Sequence, residues 1–125
     1  MSAPSRRLTL PRAARLRHRD QFSGALAAGA VGIRRHFALY ARSNGLGQAR
    51  IGIIAGRRAV RNAVDRNRAR RWVREAFRLN RHRFGGVDVV VQVRRCPPRD
   101  GAAAARTELA KLFGELDARL RERGI

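Results

Sequence analysis

The sequence contains one cysteine, one lysine, three histidines and only nine acidic residues among 125, and each shortage removes a class of function. A lone Cys96 cannot build an intramolecular disulfide framework; it points to a reducing compartment and to a small side chain packed against apolar neighbours. The nine carboxylates are scattered, so they offer no convergent hard-oxygen site of the kind a metal-dependent protein nuclease needs. His18, His36 and His82 have no partner ligands at zinc-site spacing. Ser5, Ser23 and Ser43 lack a histidine and acid setting for nucleophilic catalysis. Gly45-Leu-Gly47 reads as a turn, because no Walker lysine accompanies it. No apolar run approaches the roughly 20 residues that span a bilayer. The polypeptide by itself carries no recognisable active site.

Positive charge is abundant instead. Lys and Arg number 29 against nine acids, for a formal charge of +20. Lys111 is the only lysine, so nearly all of this charge is guanidinium, the group suited to bidentate phosphate contacts and to stacking on bases. An excess of this size repels itself unless a polyanion offsets it, and nucleic acid is the natural candidate. With 44% hydrophobic residues in strand-like and helix-like patterns, the chain can also build a core. The length suits one domain. The first 19 residues hold Arg6, Arg7, Arg12, Arg15, Arg17 and Arg19 with no acid, the look of a transit peptide. Pro4 and Pro11 interrupt that stretch, and it runs without a composition change into Asp20-Gln21-Phe22. The expectation is therefore a flexible basic arm over residues 1–10 and a single RNA-binding domain over 11–125 in the cytoplasm.

Local patterns give the elements. A weak helical period over 13–28 involves Leu16, Phe22, Ala25 and Leu26, with Gly29 as a stop. After a short Val31–Ile33 stretch, residues 36–42 alternate strictly. Phe37, Leu39 and Ala41 share one face; His36, Ala38, Tyr40 and Arg42 share the other. Asn44-Gly45 supplies hairpin turn chemistry before a second alternating run over 50–56. Residues 62–81 form the clearest helix, with Asn62 or Asp65 as possible caps. Its apolar side carries Ala69, Trp72, Val73, Ala76, Phe77 and Leu79, and its cationic side Arg70, Arg71, Arg74, Arg78 and Arg81. Val87–Arg94 is a buried valine-rich strand, stopped at a sheet edge by Pro97-Pro98. Asp100 is a candidate N-cap for a last helix carrying Leu109, Leu112, Phe113, Leu116 and Leu120. The expected class is α+β, one domain of three helices packed on one sheet, in the order αβββαβα.

The densest chemistry runs from Arg57-Arg58 through Arg61 to Arg66-Asn67-Arg68, Arg70-Arg71 and Arg74-Glu75. A helix face with so many like charges is self-repulsive at i,i+4 spacing. Arg57, Arg58 and Arg61 precede the helix, where its positive dipole end adds to a phosphate site.

Arg66-Asn67-Arg68, followed by Arg70-Arg71 and Arg74-Glu75, resembles the signature helix of the protein subunit of bacterial ribonuclease P. Further likeness lies in Leu10-Pro11, Arg15-Leu16-Arg17, Phe22, Phe37-Ala-Leu-Tyr40, Arg50-Ile-Gly52 with Arg57-Arg58, and Asp88-Val-Val-Val, covering about residues 8 to 120. The chain departs from the family in having Leu26 where a second aromatic is common and Arg57-Arg58 where lysines are usual. The resemblance implies a four-stranded sheet with a left-handed βαβ crossover. It also implies a ribonucleoprotein endoribonuclease whose catalyst is a partner RNA holding Mg²⁺, with no cofactor on the protein alone, cutting 5′ leaders from precursor tRNA. In that picture Arg57, Arg58, Arg61, Arg66, Asn67, Arg68, Arg70, Arg71 and Arg74 bind RNA. Phe22, Tyr40 and Arg57 line a cleft for the single-stranded leader, where rings suit variable sequence because every base has a π-face. No membrane and no protein partner are implied. The alternative is a ribosomal or ribosome-assembly protein.

Overall fold

The computed structural model describes residues 10–123. Leu10 and Pro11 lead into a single 3₁₀ turn, Arg12–Ala14. The regular elements then follow as α1 (Arg19–Ala27), β1 (Ala30–Ile33), β2 (Phe37–Ser43), β3 (Arg50–Ile54), α2 (Ala63–Asn80), a 3₁₀ turn Arg81–Arg83, β4 (Val87–Val93) and α3 (Ala102–Arg123). This is the expected αβββαβα order, with four strands in one mixed sheet. Residues 1–9, most of the expected basic arm, lie outside the described part.

The first helix is shorter than its sequence pattern suggests. Residues 15 and 16 are extended because the edge of β3 offers them a backbone partner: Leu16 N–H donates to Ile51 C=O at 2.8 Å, and Arg15 bridges Ile51 in parallel. Leu16 is buried beneath, and the segment covers an otherwise open sheet edge. The helix ends as expected at Gly29, whose φ of +97° is the left-handed conformation that a side chain resists.

Strand order in the sheet is β1-β2-β4-β3, which overturns the hairpin expected across Asn44-Gly45. The turn chemistry is real: Gly45 has φ +71°, and Leu46 N–H donates to Asn44 Oδ1 at 2.7 Å. The turn reverses the chain without pairing the strands it joins, because β4 lies between them, antiparallel to β2 and parallel to β3. Val87, Val89, Val90, Val91 and Val93 are all buried, and a strand apolar on both faces belongs at the centre of a sheet. Accordingly Pro97-Pro98 follow a central strand, not an edge one. The antiparallel hairpin is β1–β2.

The path from β3 through α2 to β4 is left-handed, and the hydrogen bonds establish it. Arg94 N–H donates to His36 C=O at 2.7 Å, and Asn44 N–H donates to Gly86 C=O. Even-numbered positions of the β4 segment therefore aim their backbone groups at β2, and odd-numbered ones at β3. In an L-chain drawn upward with a side chain toward the viewer, that residue's N–H and C=O point right. Val87, Val89 and Val91 face the α2 side, in the core that holds Ala69, Val73, Ala76 and Phe77. Seen from there, β3 stands to the right of β4, and the chain crosses in front while moving left, against the usual rule.

The two faces of the sheet have different coverings. Phe37, Leu39, Ile51, Val89 and Val91 form the main core with α2 and α3, where Leu109, Leu112, Phe113, Leu116 and Leu120 are all buried as their spacing predicts. Phe77, Phe84 and Phe113 meet ring to ring, with centroids 5.7–6.5 Å apart. The opposite face is covered only by α1 and the Leu16 segment, in a small cluster of Leu16, Ala25 and Val90 edged by Phe22, Tyr40 and Ile54. Two expectations at helix ends fail. Leu79 is exposed, since it sits about 200° around the helix from Phe77. Asp100 does not cap α3, which starts one residue later with Gly101 C=O accepting from Ala105 N–H.

Candidate nucleic-acid interface

Helix α2 begins where Asn62 Oδ1 accepts from Val64 N–H at 2.7 Å, so Asn62, not Asp65, is the cap. Arg57, Arg58 and Arg61 are all exposed in the turn before it. That turn is anchored by buried Val60, whose carbonyl accepts from Arg66 Nη1 at 3.2 Å.

Along α2 the arginines divide between two flanks. Asn67, Arg71, Arg74 and Arg78 line one hollow together with Leu10 and Arg15. Arg70 and Arg74 also line a second hollow with Arg15, Leu16, Phe22 and Gly52. Arg68 turns the other way. Its Nη2 lies 2.8 Å from Asp65 Oδ1, and its guanidinium stands over Trp72 at 5.9 Å from the ring centroid. Only 16% of the Arg68 side chain is exposed, so much of its charge is committed inside the fold.

Between α2 and the lightly covered sheet face runs a groove whose floor is made by a glycine. Phe22 is half-buried with the far edge of its ring against Gly52: a Cβ placed there would lie 2.5 Å from Phe22 Cε2 and 3.0 Å from Leu16 Cδ1. Tyr40 lies on the same face, half-buried, with its hydroxyl 3.4 Å from Gln92 Oε1. Arg58 lines a neighbouring hollow with Ile54, Gly56 and Gln92. Arg57 is exposed and lines neither hollow. Phe22 and Tyr40 thus edge one small cluster, and Arg58 approaches it through Gln92.

Arg15, Gly52 and Gln92 were not singled out from the sequence as site residues. The signal for Arg15 was its alternation with buried Leu16 and with Arg17. The role of Gly52 depends on a ring that arrives from another element, which no local pattern reports.

The groove wall is strongly positive. Arg74 holds its proton less tightly than an ordinary arginine, first because burial strips water from it and then because Arg15 and Arg70 repel it. A phosphate among these groups would relieve that repulsion. One acid, Glu75, lines the outer hollow, paired with Arg78; the buried acids are occupied elsewhere. Asp88, 1% exposed, receives Arg50 Nε at 2.8 Å and Nη2 at 2.9 Å, plus Asn44 Nδ2 at 2.9 Å. Asp117 accepts from Arg83 and Arg121. Among the described residues, no three His, Cys, Asp or Glu side chains come together as a metal site.

The sequence profile of the Ribonuclease P family matches residues 10–117. The ribonuclease P protein component of Ralstonia pickettii is 40% identical over 110 residues, covering 82% of this chain and 79% of that protein. That of Chromobacterium violaceum is 41% identical over 105 residues, covering 84% and 87%. Among solved structures, the RNase P protein from Thermotoga maritima superposes with a TM-score of 0.63 at 29% identity, covering 83% of this chain and 96% of that one. The Staphylococcus aureus RNase P protein shares the fold, with a TM-score of 0.71 at 23% identity over 81% and 93% of the two chains. A match over nearly the whole domain, on this fold and with this arginine-rich helix, leaves the ribosomal alternative without support: the chain belongs to the Ribonuclease P family, as its protein component.

Proposed function

We propose that this protein component works beside a catalytic RNA in the cytoplasm, and that the pair removes the 5′ leader of precursor tRNA endonucleolytically. The supporting observation is the division of its surface. One sheet face is sealed by α2 and α3, while the other leaves Phe22 and Tyr40 half-open beside a wall of arginines. A single-stranded leader of variable sequence suits that face, since rings stack on any base and guanidiniums follow the phosphates. The outer flank of α2, through Asn67, Arg70, Arg71 and Arg74 with Arg66 at its base, grips the catalytic RNA. Arg57, Arg58 and Arg61 extend that grip around the positive end of the helix, and Arg57 also stands at the rim of the leader face. Arg68, turned to the other flank and held by Asp65, leaves only the small exposed part of its side chain to RNA.

The reaction's Mg²⁺ belongs with the RNA in this reading. The protein's own residues do not fit it: the two buried acids, Asp88 and Asp117, already accept from arginine and asparagine donors.

Reconstitution with the cognate RNA tests the proposal. Tyr40→Ala should weaken holoenzyme binding of precursor tRNA by about 1–3 kcal/mol while leaving mature tRNA and RNA-subunit assembly nearly unchanged. An equal defect for precursor and mature tRNA would show that the ring is structural. Cleavage of precursor by rigorously RNA-free protein would move catalysis into the polypeptide.

A further inference from the structure

Arg12 and Arg17, unlike Arg15, line neither the Phe22 groove nor the outer hollow of α2, and the fold gathers all three ahead of α1. The segment ahead of α1 is pinned to β3 by the Leu16–Ile51 hydrogen bond and the Arg15–Ile51 bridge. With Leu16 buried, extended geometry sends its neighbours Arg15 and Arg17 to the opposite side, and both are exposed. Gln21 locks the turn into α1: its Oε1 accepts from the backbone N–H of Arg17 at 2.9 Å and of His18 at 3.0 Å. The result is a hollow lined by Arg12, Arg15, Arg17, His18 and Gln21 against Gln48 on the far side.

Three properties mark it as a binding surface rather than a solvated fringe. No acidic side chain lines it. Arg50, which also borders it, is neutralised by Asp88, whereas Arg12, Arg15 and Arg17 form no ion pair among the described residues. Finally, Arg15 lines this hollow, the Phe22 groove and the hollow on the outer flank of α2 alike. It stands where three basic surfaces join at the β3 edge.

We propose that the Arg12–Arg15–Arg17–His18 hollow is a further binding site for polynucleotide phosphate, continuing the RNA track past the β3 edge. This rests on the leader-groove reading above but uses none of its rings. Two sources supply the same chemistry: the leader strand beyond the nucleotides stacked on Phe22, and a backbone segment of the RNA subunit.

The test uses holoenzyme carrying Arg12→Ala together with Arg17→Ala, with thermal unfolding to verify that the fold survives. Affinity is measured against salt for mature tRNA, for precursors of short and long leader, and for assembly with the RNA subunit. Loss of two contacts should lower the magnitude of the log K versus log salt slope by about 1.4 for a single strand. It should also weaken binding about tenfold at low salt. A loss confined to long-leader precursors assigns the site to the leader; a loss in assembly assigns it to the RNA subunit; either supports the site. Unchanged affinity and slope in every arm would overturn it. Tyr40→Ala, run in parallel, separates the two ideas: a Tyr40 defect without an Arg12/Arg17 defect sinks only the new site, and the reverse sinks only the stacking groove.

Discussion

At the scale of single residues, the groove depends on an absence of atoms. Gly52 lies in β3 between Ile51 and Ile53, and only because it has no Cβ can the Phe22 ring come so close to the sheet with Leu16 beside it. Gly52→Ala forces a choice. The two closest atoms are at the far end of a half-exposed ring, which can swing outward, and the third, Leu16 Cδ1 at 3.0 Å, need give only slightly. The stability loss should therefore stay near the low end of overpacking costs, about 1 kcal/mol. Leader binding should suffer more, because the ring leaves its place in the groove. Denaturant midpoints together with precursor-versus-mature affinities check this; a large stability loss with unchanged discrimination would mean that Phe22 serves only packing.

Arg68 makes a related point about reading motifs. Unlike Arg66 and Arg70, it has an acid three positions before it, Asp65, and a ring four positions after it, Trp72. In the fold it is drawn to Asp65 and Trp72, and Asp65 also lies 3.7 Å from Arg99 in the turn before α3. Both partners lie on the same helix, at i,i+3 and i,i+4 spacing, so whether this arginine is free for RNA is set largely by its neighbours along α2.

At the scale of elements, the charges that do pair tie segments together. Arg50 and Asp88 are register partners across β3 and β4, which sets a charge pair where the central strand begins. Glu108 of α3 accepts from the His36 backbone N–H at 2.7 Å and lies 2.9 Å from its ring, fixing the β1–β2 turn. Asp117 of α3 joins Arg83, just past α2, to Arg121 on its own helix. These two arginines hold the Asp117 carboxyl down from 3.8 to about 2. A carboxylate whose folded pKa is depressed contributes stability in full above its unfolded value and loses it as pH falls toward the folded one. The docking of α3 should thus weaken between about pH 4 and pH 2. Denaturant midpoints measured across that window should show an acid limb that Asp117→Asn flattens. A limb of unchanged depth in the variant would assign the acid sensitivity to other groups.

At the scale of the whole molecule, a formal charge of +20 on 125 residues makes the free protein and its complexes respond oppositely to salt. Raising ionic strength from about 0.01 M to 0.15 M shortens the screening length from about 30 Å to 8 Å. Repulsion among the arginines then fades, and the melting temperature of the RNA-free protein should rise. Over the same range, RNA affinity should fall, because counterion release is worth less. Both limbs can be followed by thermal melts of the protein with and without its RNA. A free protein destabilised by added salt would mean that its ion pairs outweigh its self-repulsion.

The chain's local chemistry, taken alone, determined a good deal. Charge of one sign, nearly all of it guanidinium, pointed to RNA binding. The alternation of 36–42 separated Phe37 and Leu39 from Tyr40, and the period of 62–80 separated Ala69, Val73 and Phe77 from the cationic flank. These properties belong to runs of neighbouring residues, where backbone geometry alone sets which side chains share a face. Tertiary structure decided the rest. It placed β4 between two strands that look like a hairpin, because a valine strand apolar on both faces gains most when both faces and both edges are covered. It drew Arg15 and Leu16 out of a helix pattern, because the open edge of β3 offered hydrogen bonds that local propensity does not count. It joined Phe22 to Gly52 and Arg15 to Arg74 across distant stretches of sequence. The groove and its charge are made of such meetings, and they exist only once the chain has closed on itself.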